Sequence, residues 1–255
     1  MYRVGVVKLT SCSGCISEVV YAFTFDDILK NYDIIYCTEL TDVESLGEVD
    51  VALIEGSVSN MHQEEVVKSV REKAKFVVAI GTCAVMGGVQ SMRAGADINE
   101  VKKTVYPHPE YIDVYEVPKP LTDVINVDFA FPGCPINGDA LVQFLRKFAL
   151  GGLPVVIYES VCAACKRKGL ECVVVSKGIP CLGPITNGGC GALCPSFGRG
   201  CYGCYGLKLF DLSKDKLDAF MRRAIELGIG KEDIEGLFKG FGFKTYSPLV
   251  KSEKR

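Results

Sequence analysis

Val4-Gly5-Val6-Val7-Lys8-Leu9-Thr10-Ser11-Cys12-Ser13-Gly14-Cys15 opens as a strand and runs through a C-x-x-C pair into a helical pattern over residues 14–30. A buried strand followed at once by a helix is the repeating unit of a parallel sheet. The unit recurs downstream. Residues 33–37, 50–54, 76–80 and 127–131 are short runs rich in Val, Ile and Phe. Helical patterns fall at residues 63–74 and 138–149. In the second, Leu141, Phe144, Leu145 and Phe148 stand at i, i+3, i+4 and i+7 and form one apolar stripe. The first carries Glu64 and Glu65 in its opening turn, favourable against the positive end of the helix dipole.

The predicted fold class is therefore α/β, a doubly wound parallel sheet whose order resembles the flavodoxin-like domain. Composition changes after Gly151-Gly152-Leu153-Pro154. Residues 177–206 hold nine glycines, with Pro180, Pro184 and Pro195 interrupting any regular element. Such a stretch has little side-chain packing of its own, and a bound inorganic core would supply the missing contacts. A helix returns after Ser213, with Leu217, Phe220, Met221 and Ala224 on one face and Gly228 as its stop. The expected organisation is a sheet domain over residues 1–152, a loop-rich metal domain over 153–210, and a helical segment over 211–255 that ends in a solvated tail at residues 251–255.

Thirteen cysteines stand in 255 residues, and their placement carries the function. Cys12 and Cys15, Cys83 in Gly81-Thr82-Cys83, and Cys134 in Pro132-Gly133-Cys134-Pro135 each follow a predicted strand. Ligands of open parallel sheets bind beyond the carboxyl ends of the strands, so three separate motifs would bring four thiolates to one rim. Gly14, Gly81 and Gly133 let the backbone pass close by and turn sharply there. Eight more cysteines, Cys162, Cys165, Cys172, Cys181, Cys190, Cys194, Cys201 and Cys204, occupy the segment 162–204. Without Cys37, which ends a predicted strand and reads as a buried apolar thiol, twelve remain. Four thiolates form the ligand set of a [4Fe–4S] cluster, so the twelve suit three clusters. Cys190-x3-Cys194-Pro195 echoes bacterial ferredoxin runs, where ligands cross between clusters, and similar interleaving is expected in the tail.

The alternatives are narrower. Zinc accepts two C-x-x-C pairs in a closed tetrahedral site, which explains four tail cysteines and leaves four. An isolated Cys after a strand is usually a small buried hydrophobe, and one C-x-x-C suits a redox pair. Haem attachment needs C-x-x-C-H, which neither pair offers. There is no P-loop and no strand-anchored G-x-G-x-x-G, so nucleotide is expected on another subunit. Twenty-nine Lys and Arg against 31 Asp and Glu give a net charge of -2, which argues against a nucleic-acid partner. No signal segment and no long apolar run is read in the chain, so a cytoplasmic location without a membrane span is expected. Dense cysteine in that compartment means metal or redox chemistry rather than disulfides.

Cys12-Ser13-Gly14-Cys15, Gly81-Thr82-Cys83-Ala84-Val85-Met86-Gly87 and Gly133-Cys134-Pro135 resemble the proximal-cluster signature of [NiFe] hydrogenase small subunits. Glu55-Gly56-Ser57-Val58 resembles a segment of their cytoplasmic members, and Ile136 stands where many have a second proline. Cys181-Leu182-Gly183-Pro184, Gly189-Cys190-Gly191 and Cys201-x2-Cys204 resemble the tail of the sulfhydrogenase, viologen-reducing and F420-reducing types. The resemblance implies a large partner subunit that holds the Ni–Fe centre and splits H2. It also implies a flavin or iron–sulfur acceptor subunit, with electrons passing through this chain and no bond chemistry in it. A complex-I-type iron–sulfur subunit is the related alternative. Its pattern has adjacent cysteines, where Cys12 and Cys15 are separated, and it lacks the eight-cysteine tail. Among lesser features, Glu18 reads as a surface charge or part of a proton path. Lys166, Arg167 and Lys168 read as a solvated loop or a steering patch. Tyr202 and Tyr205 read as packing over a tail cluster.

Overall fold

The structure is a computed structural model that describes residues 1–153, 159–208 and 213–241. The chain divides into two compact units, Met1–Pro154 and Val155–Arg255. The expected boundary at residue 211 and the expected tail at 251–255 lie outside the described residues.

In the first unit, β1 (Tyr2–Lys8), β2 (Tyr32–Cys37), β3 (Val49–Glu55), β4 (Ala74–Ile80) and β5 (Phe129–Phe131) form one sheet in the order β2-β1-β3-β4-β5. Every neighbouring pair is parallel. This is the flavodoxin-like order expected. Side chains alternate between faces along each strand. Val4, Val6, Val51, Leu53, Val78 and Ile80 pack on one face against α1 (Gly14–Ala22) and α6 (Gly138–Ala149). Val7, Ala52, Ile54, Val77 and Ala79 pack on the other against Val67 and Val70 of α3 (Met61–Lys73). Burial on both faces is why these strands read as continuous apolar runs.

Phe144 of α6 is fully buried, with ring centroids 4.9 Å from Phe129, 5.2 Å from Phe131 and 5.8 Å from Phe148. Its burial is worth about 1.5–3 kcal/mol. Tyr32, also buried, donates its hydroxyl proton to the Leu145 carbonyl at 2.6 Å, so the ring is hidden without an unpaired polar tip. Asn137 caps α6 by accepting from the Ala140 amide at 2.9 Å. Arg146 in its last turn grips Asp27 at 2.6 and 3.0 Å.

Two sequence expectations differ from the structure. The helix read over residues 14–30 is two helices, α1 and α2 (Asp26–Leu29). Thr24 turns its hydroxyl back to the Tyr21 carbonyl at 2.8 Å, and Phe25 goes extended to stack edge-on against Tyr21. The last strand is shorter than residues 127–131. The Asp128 carboxylate accepts the Val77 amide at 2.7 Å, where an extended neighbour would place a ladder bond. It also pairs with Arg71 of α3 at 2.5 Å.

The rest of this unit comprises α4 (Gly81–Met86), directly after β4, and α5 (Ile98–Val105). The second unit contains α7 (Val161–Arg167), α8 (Val173–Lys177), α9 (Leu193–Ser196), α10 (Lys214–Glu226) and α11 (Lys231–Gly240). Ser213 caps α10 by accepting from the Lys216 amide, and Gly228 follows at φ +82°, a fitting stop. The glycine-rich segment is not coreless. Leu182, Ile185 and Leu207 pack with Leu217, Ala224, Ile234 and Phe238. Asn187 adds backbone order by donating to the carbonyls of Tyr205 and Leu207 at 3.1 and 2.7 Å. Among the described residues no helix is long and apolar enough to cross a membrane.

Candidate metal centres

The carboxyl ends of β1, β4 and β5 bring Cys12, Cys15, Cys83 and Cys134 together. Cys15 lies in the first turn of α1, Cys83 in α4, and Cys12 and Cys134 in the loops after β1 and β5. Their thiols act on one another electrostatically: Cys15 with Cys83 and Cys134, and Cys12 with Cys83 and Cys134. Two hydrogen bonds lock the second and third motifs. The Thr82 amide donates to the Gly133 carbonyl at 2.8 Å, and the Gly133 amide donates to Thr82 Oγ1 at 2.9 Å. Gln90 ties the first motif in by donating to the Thr10 carbonyl at 2.8 Å.

Two glycines are shaped by the sulfurs. A Cβ at Gly81, φ +85°, would lie 2.6 Å from Cys15 Sγ, and one at Gly88, φ +64°, would lie 2.5 Å from Cys83 Sγ. Neither the backbone angle nor the space admits a side chain.

Burial pushes the Cys15 thiol far up, against the Ile136 amide that favours its thiolate. Burial likewise pushes Cys83 up to about 11, and Cys134 rises for the same reason, helped by the neighbouring thiol of Cys12. Clustered thiols that resist ionisation in this way are stabilised as thiolates by a positive core, and metal binding would release their protons. On the chemistry of the donor set and the glycine cradle, the residues present fit a [4Fe–4S] cluster.

Glu55 is a further residue of this rim, noted in the sequence only as part of a family segment. Ser13, at φ 68°, does not cap α1, since its hydroxyl donates to Glu39 at 2.8 Å instead. The cap comes from β3: Glu55 Oε1 accepts the Cys15 amide at 3.1 Å. The carboxyl is 2% exposed, its other oxygen has no partner, and burial raises its pKa against the opposing pull of the Cys15 amide. Glu55→Ala would leave the Cys15 amide unpaired at a cost of about 1–3 kcal/mol, whereas Glu55→Gln keeps an acceptor there. In the assembled protein, the urea midpoint for loss of the rim iron signal should fall with Ala and recover most of the loss with Gln. Equal losses in the two variants would rule out the capping role.

In the second unit the cysteines group in chain order. Cys165 is electrostatically coupled to Cys162, Cys172 and Cys181, and Cys181 to Cys162 and Cys172. Cys201 acts electrostatically on both Cys181 and Cys190, and the Cys181 sulfur accepts the Cys201 amide at 3.2 Å. Burial pushes Cys201 up to about 11. Cys194 sits in α9 and Cys204 in the turn after Cys201. Cys162, Cys165, Cys172 and Cys181 thus form one group, and Cys201 bridges from it to Cys190. Tyr205 is buried as expected, but Tyr202 is 45% exposed. Arg167 is not free to steer a partner, because it pairs with Glu159 at 2.5 Å through both nitrogens. Cys37 is buried in the sheet core, as its position at the end of a strand suggested.

The family described as NADH ubiquinone oxidoreductase, 20 Kd subunit, matches residues 12–148, a span that holds all four rim cysteines. The delta subunit of sulfhydrogenase 2 from Pyrococcus furiosus is 39% identical over 208 residues, covering 81% of this chain and 87% of that protein. An F420-non-reducing hydrogenase subunit from Methanococcus voltae is 34% identical over 238 residues, 80% and 82% of the two chains. Among solved structures, an NAD+-reducing [NiFe]-hydrogenase in the H2-reduced state matches with a TM-score of 0.53 and 27% identity, over 62% of this chain and 96% of that one. The [NiFeSe] hydrogenase of Desulfovibrio vulgaris Hildenborough shares the fold at TM-score 0.56 and 17% identity, over 82% and 95%. The sheet and its rim thus define an oxidoreductase subunit similar to the NADH ubiquinone oxidoreductase 20 Kd subunit and to hydrogenase subunits. Within that class, this chain belongs to the family of [NiFe] hydrogenase small subunits.

Proposed function

We propose that the chain carries electrons between the Ni–Fe site of a large subunit and a flavin or iron–sulfur subunit, by way of three [4Fe–4S] clusters. The observation that carries this is the meeting of three strand-end motifs in one group of four thiols. Cys12, Cys15, Cys83 and Cys134 would hold the cluster next to the large subunit. Cys162, Cys165, Cys172 and Cys181, which act on one another electrostatically, would hold a second, and the remaining Cys190, Cys194, Cys201 and Cys204 a third. When bound, the clusters supply one-electron redox chemistry.

The chain's own residues position and insulate these sites. The Ile136 amide faces Cys15, the Cys201 amide faces Cys181, and the Gly203 amide donates to Cys201 Sγ at 3.4 Å. Such donors favour the charged sulfur and tune a cluster's potential. The working division is a sheet domain at 1–152, a two-cluster domain at 153–210 and a helical segment at 211–255, in a cytoplasmic complex.

Three tetrads imply about twelve irons and twelve sulfides per chain. Anaerobically reconstituted protein should be brown and bleach on reduction. Zinc near one per chain with little iron would overturn the reading.

A further inference from the structure

The short helix α9 presents apolar side chains that its own unit leaves open. Leu193 is 60% exposed and Phe197 77%. The two bracket Cys194, whose neighbours Ala192 and Pro195 are buried. The inner side of the segment is therefore packed while its large apolar groups face outward. Two large apolar side chains left exposed on one short segment offer an interaction surface, and aromatic residues are enriched at interfaces.

The rim of this surface is positive. Lys168 Nζ would lie 3.6 Å from a Cβ at Gly191, and Lys177 Nζ 3.5 Å from one at Gly198. Gly191 and Gly198 flank the stretch from Leu193 to Phe197 on either side, and Arg199 follows. Lys168, Lys177 and Arg199 are all exposed. Among the described residues none of the three pairs with a carboxylate. Residues 159–208 hold six Lys and Arg against Glu159 and Glu171, and Glu159 is already taken by Arg167. That is a formal +4 on these side chains, which two thiolate-bound clusters at about -2 each would balance overall, so the placement of Lys168, Lys177 and Arg199 beside the exposed apolar groups is what counts. Charge serving only to offset thiolates has no need to reach out over the loops on both sides of an exposed Phe.

We propose that α9 and its flanking loops are the docking surface for an acidic electron-carrying protein. Leu193 and Phe197 form the apolar centre, and Lys168, Lys177 and Arg199 pair with carboxylates on the partner's rim. The proposal rests on the reading that Cys190, Cys194, Cys201 and Cys204 hold a cluster. A partner seated on Leu193 and Phe197 would lie against the helix that carries Cys194, which shortens the path for an electron. Positive steering raises encounter rates by about 10- to 1,000-fold and is lost as salt rises.

The test uses the complex assembled with its large subunit under H2. The acceptors are an acidic bacterial two-cluster ferredoxin and methyl viologen, a small cation that needs no docking surface. Ferredoxin reduction should fall at least about tenfold between 20 mM and 500 mM salt. The triple variant Lys168→Glu, Lys177→Glu, Arg199→Glu and the single variant Phe197→Ala should each lower it by a similar factor. Viologen reduction and the electron paramagnetic resonance of the tail clusters should stay unchanged. If the natural partner is a resident subunit, the triple variant should instead lose an acidic subunit in high salt. The proposal is overturned if the variants keep both their ferredoxin rate and their subunit composition, or if viologen reduction falls in step with ferredoxin reduction. Failure of the underlying reading looks different: the wild-type chain would lack the iron expected for the Cys190–Cys204 tetrad.

Discussion

Cys83→Ala should stop hydrogen-driven reduction of every acceptor, while Cys201→Ala should stop it only beyond the first cluster. Cys83 meets Cys12, Cys15 and Cys134 at the rim, so its loss leaves three sulfurs for a core that takes four. The loops need not collapse with it. The paired bonds between Thr82 and Gly133 do not involve the Cys83 side chain, and Gln90, which loses its bond to that thiol, still donates to the Thr10 carbonyl. The loss is thus of the redox centre rather than of the unit. Removing even a residue that braces a metal ligand costs about 10- to 100-fold in activity, and removing a ligand should exceed that. Cys201 belongs to the second unit, where its amide also braces Cys181. In Cys201→Ala the rim cluster should still be reduced by H2, visible by electron paramagnetic resonance, while the natural acceptor stays oxidised. Intact acceptor reduction by H2 in both variants would disprove a path through both sites.

The sheet was legible because its strands are buried on both faces and because each is followed by a helix or a cysteine motif. The rim tetrad was legible for the same reason: a parallel sheet places the ends of its strands at one edge, so three motifs far apart in sequence become neighbours. What could not be read is set by side chains that act across long separations. Glu55 caps a helix that starts 41 residues earlier in the chain, and the Ser13 hydroxyl turns to Glu39 instead. Asp128 shortens β5 by taking the Val77 amide into its own carboxylate. The break at Thr24 and Phe25 depends on aromatic packing that helical periodicity does not encode. In the tail, cysteine spacing predicted two tetrads but not their membership. Which cysteines meet depends on contacts across the tail, such as α7 and the loop after Cys181 folding together, with the Val161 amide donating to the Thr186 carbonyl at 3.1 Å. Residues 231–240 carry Gly236 and Gly240, yet form a second helix within the segment read as helical.

The loops that carry Cys12, Cys83 and Cys134 should be buried in the interface with the large subunit. A cluster at the sheet rim can exchange electrons with a partner only if that rim faces it. The segment after Cys83 is suited to such burial: Val89, Met92, Val105 and Tyr106 are 45%, 56%, 61% and 45% exposed, and Tyr111 is 80% exposed. Buried polar atoms without partners gather in the same region, among them Ser11 Oγ, Ser57 Oγ and Gln90 Oε1. Obligate interfaces bury roughly 2,000–5,000 Å² and are more apolar than transient ones. The isolated chain should therefore aggregate or stay poorly soluble, and should elute with a nickel-containing subunit when purified from its source. Backbone amides at residues 11–15, 82–93 and 133–136 should exchange slowly in the complex and at least about tenfold faster in the chain alone. The division of labour is as sharp. By the proposed assignment every cysteine except buried Cys37 is taken as a cluster ligand, and His62 and His108, the only histidines, belong to none of the cysteine motifs. Hydrogen activation should thus require the partner, and hydrogen uptake by this subunit without nickel would refute the assignment.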